Sequence, residues 1–327
     1  MGDVKTAKRR LPSAIRWILW VLLVQFILIN ISSVFYAYRL THFYAEGDAG
    51  DGHYDDDNIF LKTWKLFTGP KVAKAAVVGQ PTYPYETVQL TTKAGKKIEA
   101  WYSKADSVSN GTVILFHGIS NTKSTLLPEA DEFRALGYRT LLVDLRGHGN
   151  SEGNSTSLGV KETEEVKLAY DFIVSKGERK IILYGSSMGA VVVAKAMHDY
   201  QWKVAGIMLD MPFQSLQTYL KDKARTLGFP SQPFAFLTTF WIGVQKGYNG
   251  FNHSTTRYVK DIHCPVLMQW GSLDNFILRE ETQKIFNTIG TAQKKLVIYE
   301  RAGHESFAQN DPLKWRIETE RFLATAQ

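Results

Sequence analysis

The chain has 327 residues, 44% hydrophobic and 22% charged, with a formal net charge of +7. That is enough to bury a sizeable core as one large or two small domains, and it excludes wholesale disorder. A single cysteine, Cys264, excludes an internal disulfide framework and any cysteine-based metal site, and the charge does not point to nucleic acid, because Lys5, Lys8, Arg9, Arg10 and Arg16 against Asp3 place +4 of it in the first 16 residues.

After this basic tip (1–16), Trp17 to Tyr38 form 22 uncharged residues dense in Leu, Ile, Val, Trp and Phe. At about 1.5 Å per residue such a helix crosses the roughly 30 Å hydrocarbon layer. The run is long for a cleaved signal peptide, and Phe35-Tyr36-Ala37 breaks the small-x-small cleavage pattern, so an uncleaved anchor over 17–38 is expected. Arg39 is the only Lys or Arg between the run and Lys62, which puts the N-terminus in the cytoplasm and the bulk of the chain in a periplasm, lumen or extracellular space. Asn110, Asn154 and Asn252 head triplets that fit glycosylation acceptors. Residues 46–57 carry six acids and three glycines without the spacing of a calcium loop. They read as a solvated linker within a lead-in segment, 39–82.

From residue 83 to 327 the pattern is that of one globular unit. Tyr85–Thr91 and Lys97–Ser103 alternate apolar and polar residues around a Lys-Ala-Gly-Lys turn, an antiparallel hairpin. Apolar runs at 113–116, 140–143, 181–184, 204–209, 266–270 and 295–299 then alternate with helix patterns over 124–136, 160–175, 188 onward, 280–289 and from Pro312. Continuous apolar strands between helices argue a largely parallel sheet covered on both faces.

The chemistry centres on Gly185-Ser186-Ser187-Met188-Gly189, a Gly-x-Ser-x-Gly motif between a β-branched run and a small-residue helix pattern. A serine there sits on a tight strand-to-helix turn, and Ser187 is the candidate nucleophile. It needs a base and a group to orient that base, each following a later strand in the order Ser, acid, His. Asp274 follows the 266–270 strand in Gly-Ser-Leu-Asp, and His304 follows the 295–299 strand in Ala-Gly-His. Asp210, at the end of the 204–209 strand, is the rival acid. The oxyanion donors are expected to be the amides of Met188 and of Ile119, in the His117-Gly118-Ile119 turn. His117 is the alternative base, although it precedes Ser187 in the chain.

These motifs, together with Asp144-Leu-Arg-Gly-His148-Gly-Asn-Ser151, lie collinearly over about residues 85–325, and on them the chain resembles a serine hydrolase of the α/β-hydrolase superfamily. The resemblance implies an α/β-hydrolase fold: a mostly parallel sheet of the eight-stranded type, helices on both faces and a cap inserted at about 211–264. It implies esterase, lipase, thioesterase or peptidase chemistry with no cofactor and no metal, and it gives Asp144, Arg146 and His148 a loop-bracing role. The insert contains Phe229, Phe234, Phe236, Phe240, Trp241, Tyr248 and Phe251. These aromatics either line a pocket for an acyl chain or pack the cap's own small core. The resulting expectation is a membrane-anchored serine hydrolase acting on a small-molecule or lipid-like acyl substrate, with peptidase or acyltransferase activity on the same triad as the alternative. A non-catalytic membrane adaptor on this fold would carry a damaged triad, and all three members are present.

Overall fold

The computed structural model describes residues 12–49, 59–103, 109–226 and 231–326. Most of the basic tip and residues 50–57 of the acidic stretch lie outside them. The core is one eight-stranded sheet: β1 (Tyr85–Thr91), β2 (Lys97–Ser103), β3 (Thr112–Phe116), β4 (Arg139–Val143), β5 (Ile181–Ser186), β6 (Gly206–Asp210), β7 (Val266–Gly271) and β8 (Lys294–Tyr299). The strand order is β8-β7-β6-β5-β3-β4-β2-β1. β1, β2 and β4 pair antiparallel, and every other pairing is parallel.

Alternation within the strands serves two cores. Ile114 and Phe116 of β3 face one cluster, with Val166, Ala169 and Ile173 of one helix and Ile285 of another, while Val113 and Leu115 face a second, with Phe133, Trp315 and Phe322. The helices involved are α3 (Leu127–Ala135), α4 (Thr163–Ser175), α5 (Met188–Tyr200), α8 (Arg279–Thr288) and α9 (Pro312–Thr325). Because both faces are covered, the central strands are continuously apolar rather than alternating, as the sequence pattern required.

The long N-terminal helix, α1 (Ser13–Thr41), is the one helix among the described residues long and apolar enough to cross a membrane. Its first sixteen residues are exposed, and from Ile29 it packs on the rest of the protein. The lead-in segment after it carries regular structure on either side of the acidic stretch. It contains α2 (Ile59–Thr68), whose Trp64 meets Phe35 edge-on at 6.0 Å, and two two-residue parallel strands, Phe43–Tyr44 and Val72–Ala73. The sequence hides α2 because its apolar side has a partner only once α1 lies beside it.

The insert after β6 begins with two cap helices, α6 (Leu216–Thr226) and α7 (Phe234–Lys246). Its last residues do not belong to the cap: Tyr258, Val259 and Ile262 pack with α5 and α8 in the core. α7 lies along α1, with Trp241 Nε1 donating to Asn30 Oδ1 at 3.4 Å and Gln245 Nε2 to the Val34 carbonyl at 3.0 Å.

Where β5 meets α5 the backbone is closest. A Cβ on Gly189 would stand 2.1 Å from the Phe116 carbonyl oxygen, and one on Gly185 would stand 2.4 Å from that of Gly189. Gly189→Ala therefore forces strand and helix apart, and it is expected to cost roughly 3 kcal/mol. Thermal denaturation checks this, and an unchanged midpoint would contradict the packing argument.

Candidate active site

Ser187 lies between β5 and α5 with φ +52° and ψ −114°, a left-handed backbone unusual for a side chain with a Cβ. Its amide donates to the Asp210 carbonyl at 2.7 Å, which pins the turn to the neighbouring strand. The turn lifts the hydroxyl clear of the sheet. Ser187 Oγ and His304 Nε2 are 2.9 Å apart, and His304 Nδ1 and Asp274 Oδ2 are 2.7 Å apart. The parallel register of β7 and β8 brings the two loops together, because Tyr299 pairs with Gly271 and the Asp274 and His304 loops leave the sheet side by side.

Asp274 is buried, and its other oxygen, Oδ1, accepts from the amides of Phe276 at 2.8 Å and Ile277 at 2.9 Å. With Oδ1 held by the backbone, Oδ2 is left to orient the imidazole. Asp210, the other candidate acid, is engaged elsewhere. Its carboxyl accepts from Tyr184 Oη at 2.6 Å and Gln269 Nε2 at 2.9 Å, and burial pushes it up to about 7. His117 is committed as well. Its Nδ1 lies 2.7 Å from the Gly118 carbonyl, its Nε2 accepts from the Leu145 amide at 3.0 Å, and burial lowers it to about 4. A neutral ring with both nitrogens occupied braces two loops and has no free lone pair for a base.

The amides of Met188 and Ile119 border the same space. Met188 is the first residue of α5, so its N–H has no intrahelical acceptor, and Ile119 lies in the turn after β3. Among the described residues neither amide has a hydrogen-bond partner. The turn passes close to Ser187: a Cβ on Gly118 would be 3.2 Å from Ser187 Cβ. The Asp144 loop is anchored away from the cavity. Asp144 accepts from the Lys123 amide at 2.6 Å, the buried Lys123 ammonium at 2.5 Å and the Asn150 amide at 2.9 Å, while Arg146 pairs with Glu164 and Glu165. Among the described residues no cluster of His, Cys, Asp or Glu could hold a metal ion.

Ser187 and His304 open into a cavity of about 390 Å³. Of the insert's aromatics named above, Phe229 lies outside the described residues and none of the others lines it. The cap contributes Tyr219 and Lys223 of α6, while on α7 Phe234 and Trp241 meet α1 and Phe236 and Phe240 are exposed. Sequence reasoning also missed Glu129, Phe276 and Gln309 on its wall. Glu129 is buried, accepts from Ser306 Oγ at 2.5 Å and keeps Oε2 without a partner; burial pushes it up to about 7. The only sequence signal for this contact is Ser306 as the cap of a one-turn helix, Phe307–Asn310.

A family model described as serine aminopeptidase, S33, matches residues 107–243. An uncharacterized membrane protein of Saccharomyces cerevisiae, YNL320W, is 25% identical over 224 residues, 68% of this chain and 74% of its own length. The lysophosphatidylserine lipase ABHD12 of Danio rerio is 24% identical over 203 residues, 60% of this chain and 51% of that one. The esterase Pf2001 of Pyrococcus furiosus superposes with a TM-score of 0.63 at 24% identity, covering 77% of this chain and 98% of its own.

Two buried carboxyls, Asp222 of α6 and Glu281 of α8, bring the cap and the core together beside Asp274. Burial and then the Asp222 charge push Glu281 up to about 7, and burial also raises Asp222. Glu281 thus keeps its proton in the folded state over a range, from about 4.5 to about 7, in which the unfolded chain has lost it. The stability this confers is present below pH 4.5 and is lost as pH rises through 7, and Glu129 and Asp210 act in the same direction. The thermal midpoint is expected to fall between pH 5.5 and 8, with Glu281→Gln reducing the fall. A midpoint that rises over that interval would contradict the assignment.

Proposed function

We propose that this chain, which has the fold of the α/β-hydrolases, is a membrane-anchored serine hydrolase that cleaves an ester, thioester or amide of an apolar, acylated substrate through an acyl-enzyme on Ser187. The observation that carries the reading is the continuous relay from Ser187 through His304 to Asp274, at 2.9 Å and 2.7 Å, on the wall of an open cavity.

In this reading Ser187 Oγ attacks the acyl carbonyl while His304 Nε2 takes its proton, and Asp274 holds the imidazole and stabilises its charge. The amides of Met188 and Ile119 receive the oxyanion, supported by the positive end of α5. His304 then returns the proton to the departing alcohol, thiol or amine. Water, activated by the same imidazole, releases the acid and restores Ser187. A carboxylic ester is favoured because the similar proteins include an esterase and a lipase, and an apolar acyl group because α1 is long and apolar enough to cross a membrane. Amide cleavage is the second reading, favoured by the aminopeptidase description of the matching family model. The basic residues before Trp17 support a cytoplasmic N-terminus, with the catalytic domain periplasmic, lumenal or extracellular.

A fluorophosphonate probe is expected to label the wild type and to fail on Ser187→Ala and His304→Ala; equal labelling of all three overturns the mechanism. Asp274→Asn leaves the acid's shape but misorients the imidazole, and kcat is expected to fall by about 10⁴-fold. A panel of p-nitrophenyl esters from acetate to palmitate, with aminoacyl anilides alongside, tests the substrate class. Rising kcat/KM with acyl length is expected, and preference for the anilides would select the peptidase reading.

A further inference from the structure

Besides the catalytic cavity, the protein holds an apolar groove of about 540 Å³ between α1, α2 and the start of α7. Its walls include Leu28, Ile29 and Ser32 of α1, Leu66 and Phe67 of α2, and Phe234 of α7. Its level relative to a bilayer follows from length. Counting from Trp17, the first residue after Arg16, a hydrocarbon layer of roughly 30 Å takes up about 20 residues, reaching Tyr36. The α1 wall of the groove therefore stands within the layer, at its domain-proximal edge.

The neighbouring surfaces fit that level. Phe236, Phe240 and Val244 recur every four residues on the outer side of α7, and Phe60 and Trp64 project from α2; all five are exposed. Aromatic and aliphatic side chains on two short helices flanking a spanning helix are what an interfacial surface presents to lipid.

The groove also connects inward. Tyr36 and Phe234, in edge-on contact at 4.8 Å, border both the groove and a narrow space of about 30 Å³ beneath it, which is walled further by Leu220 and Ala224 of α6. Lys223 borders that narrow space and the catalytic cavity. Three spaces thus stand in a row from bilayer level to Ser187, with the Tyr36–Phe234 contact and the Lys223 side chain as the walls between them.

We propose that this line is an entry path by which a single acyl chain of a membrane lipid reaches the catalytic serine directly from the bilayer, with the anchor helix as one of its walls. The inference rests on Ser187 being the nucleophile. The middle space is too narrow for two chains side by side, so one acyl chain passes at a time, with the Tyr36, Phe234 and Lys223 side chains moving to let it through. The occupant is an acyl chain because the wall stands inside hydrocarbon, where no water is present to fill an open apolar groove.

The test uses the full chain in phosphatidylcholine vesicles and alkyl fluorophosphonates that carry a diazirine at the end of a hexadecyl or a butyl chain. Each phosphonylates Ser187 with loss of fluoride, and photolysis followed by peptide mapping then locates the chain end. The hexadecyl probe is expected to cross-link to α1 between Leu28 and Tyr36 or to α2 between Thr63 and Phe67, and the butyl probe only within the catalytic cavity. Absence of phosphonylation would refute the Ser187 reading itself. Phosphonylated protein whose hexadecyl end cross-links only to the cavity wall, or to neither helix, would refute the path alone. Ser32→Trp, which fills the groove, supplies an independent check. The ratio of kcat/KM for a vesicle-borne palmitoyl ester to that for a water-soluble butyryl ester is expected to fall about tenfold, and an unchanged ratio overturns the path.

Discussion

The site depends on a backbone contact: α5 begins so close to β3 and β5 that only glycine fits at 185 and 189. That approach forces Ser187 into its left-handed conformation, a strain of about 1–3 kcal/mol that the surrounding strands have to sustain. The Ser187 amide bond to Asp210 and the two glycines hold the turn in place. In return the turn points the hydroxyl away from the sheet and sets the free amide of Met188 beneath it. A looser junction would keep the fold and lose both placements.

Beneath the elbow the polar groups are mutually fixed. Tyr184 donates to Asp210, Gln269 donates to the same carboxyl, and Tyr299 donates to Gln269 at 2.6 Å, so β5, β6, β7 and β8 are joined by side chains as well as by ladders. Buried networks of this kind stiffen a core when their members are satisfied. The same low-dielectric interior keeps Asp210 and Glu129 protonated to higher pH than free carboxyls. Lys123 and Asp144 form a buried ion pair that holds the loop after β4 against the turn after β3, which is how residues with no place in the cavity set the position of Ile119.

Much of this was legible in the sequence. The strands read directly, because a sheet buried on both faces must be continuously apolar, and the hairpin of β1 and β2 read from period-two alternation. Ser187, Asp274 and His304 read from local context at strand ends. Contacts between distant segments did not. α2 goes unread within the lead-in segment because its apolar residues have no partner within their own segment, and the cap aromatics suggest a pocket because nothing local reveals α1 lying along α7. Glu129 and Lys223 reach the cavity only through tertiary packing, and no motif marks them.

α1 does more than precede the hydrolase-like domain. It shares a small core with the cap through Ala37, Leu216, Leu220 and Ile242, so the positions of α1 and of the cap are mechanically linked. The central claim nevertheless concerns one covalent bond. Rapid quenching of the full chain with p-nitrophenyl laurate, followed by intact-mass and peptide analysis, tests it most directly. The account predicts a transient lauroyl adduct confined to the peptide that contains Ser187, formed in step with a burst of nitrophenol. Steady turnover with no acylated species, undiminished in Ser187→Ala, would contradict it.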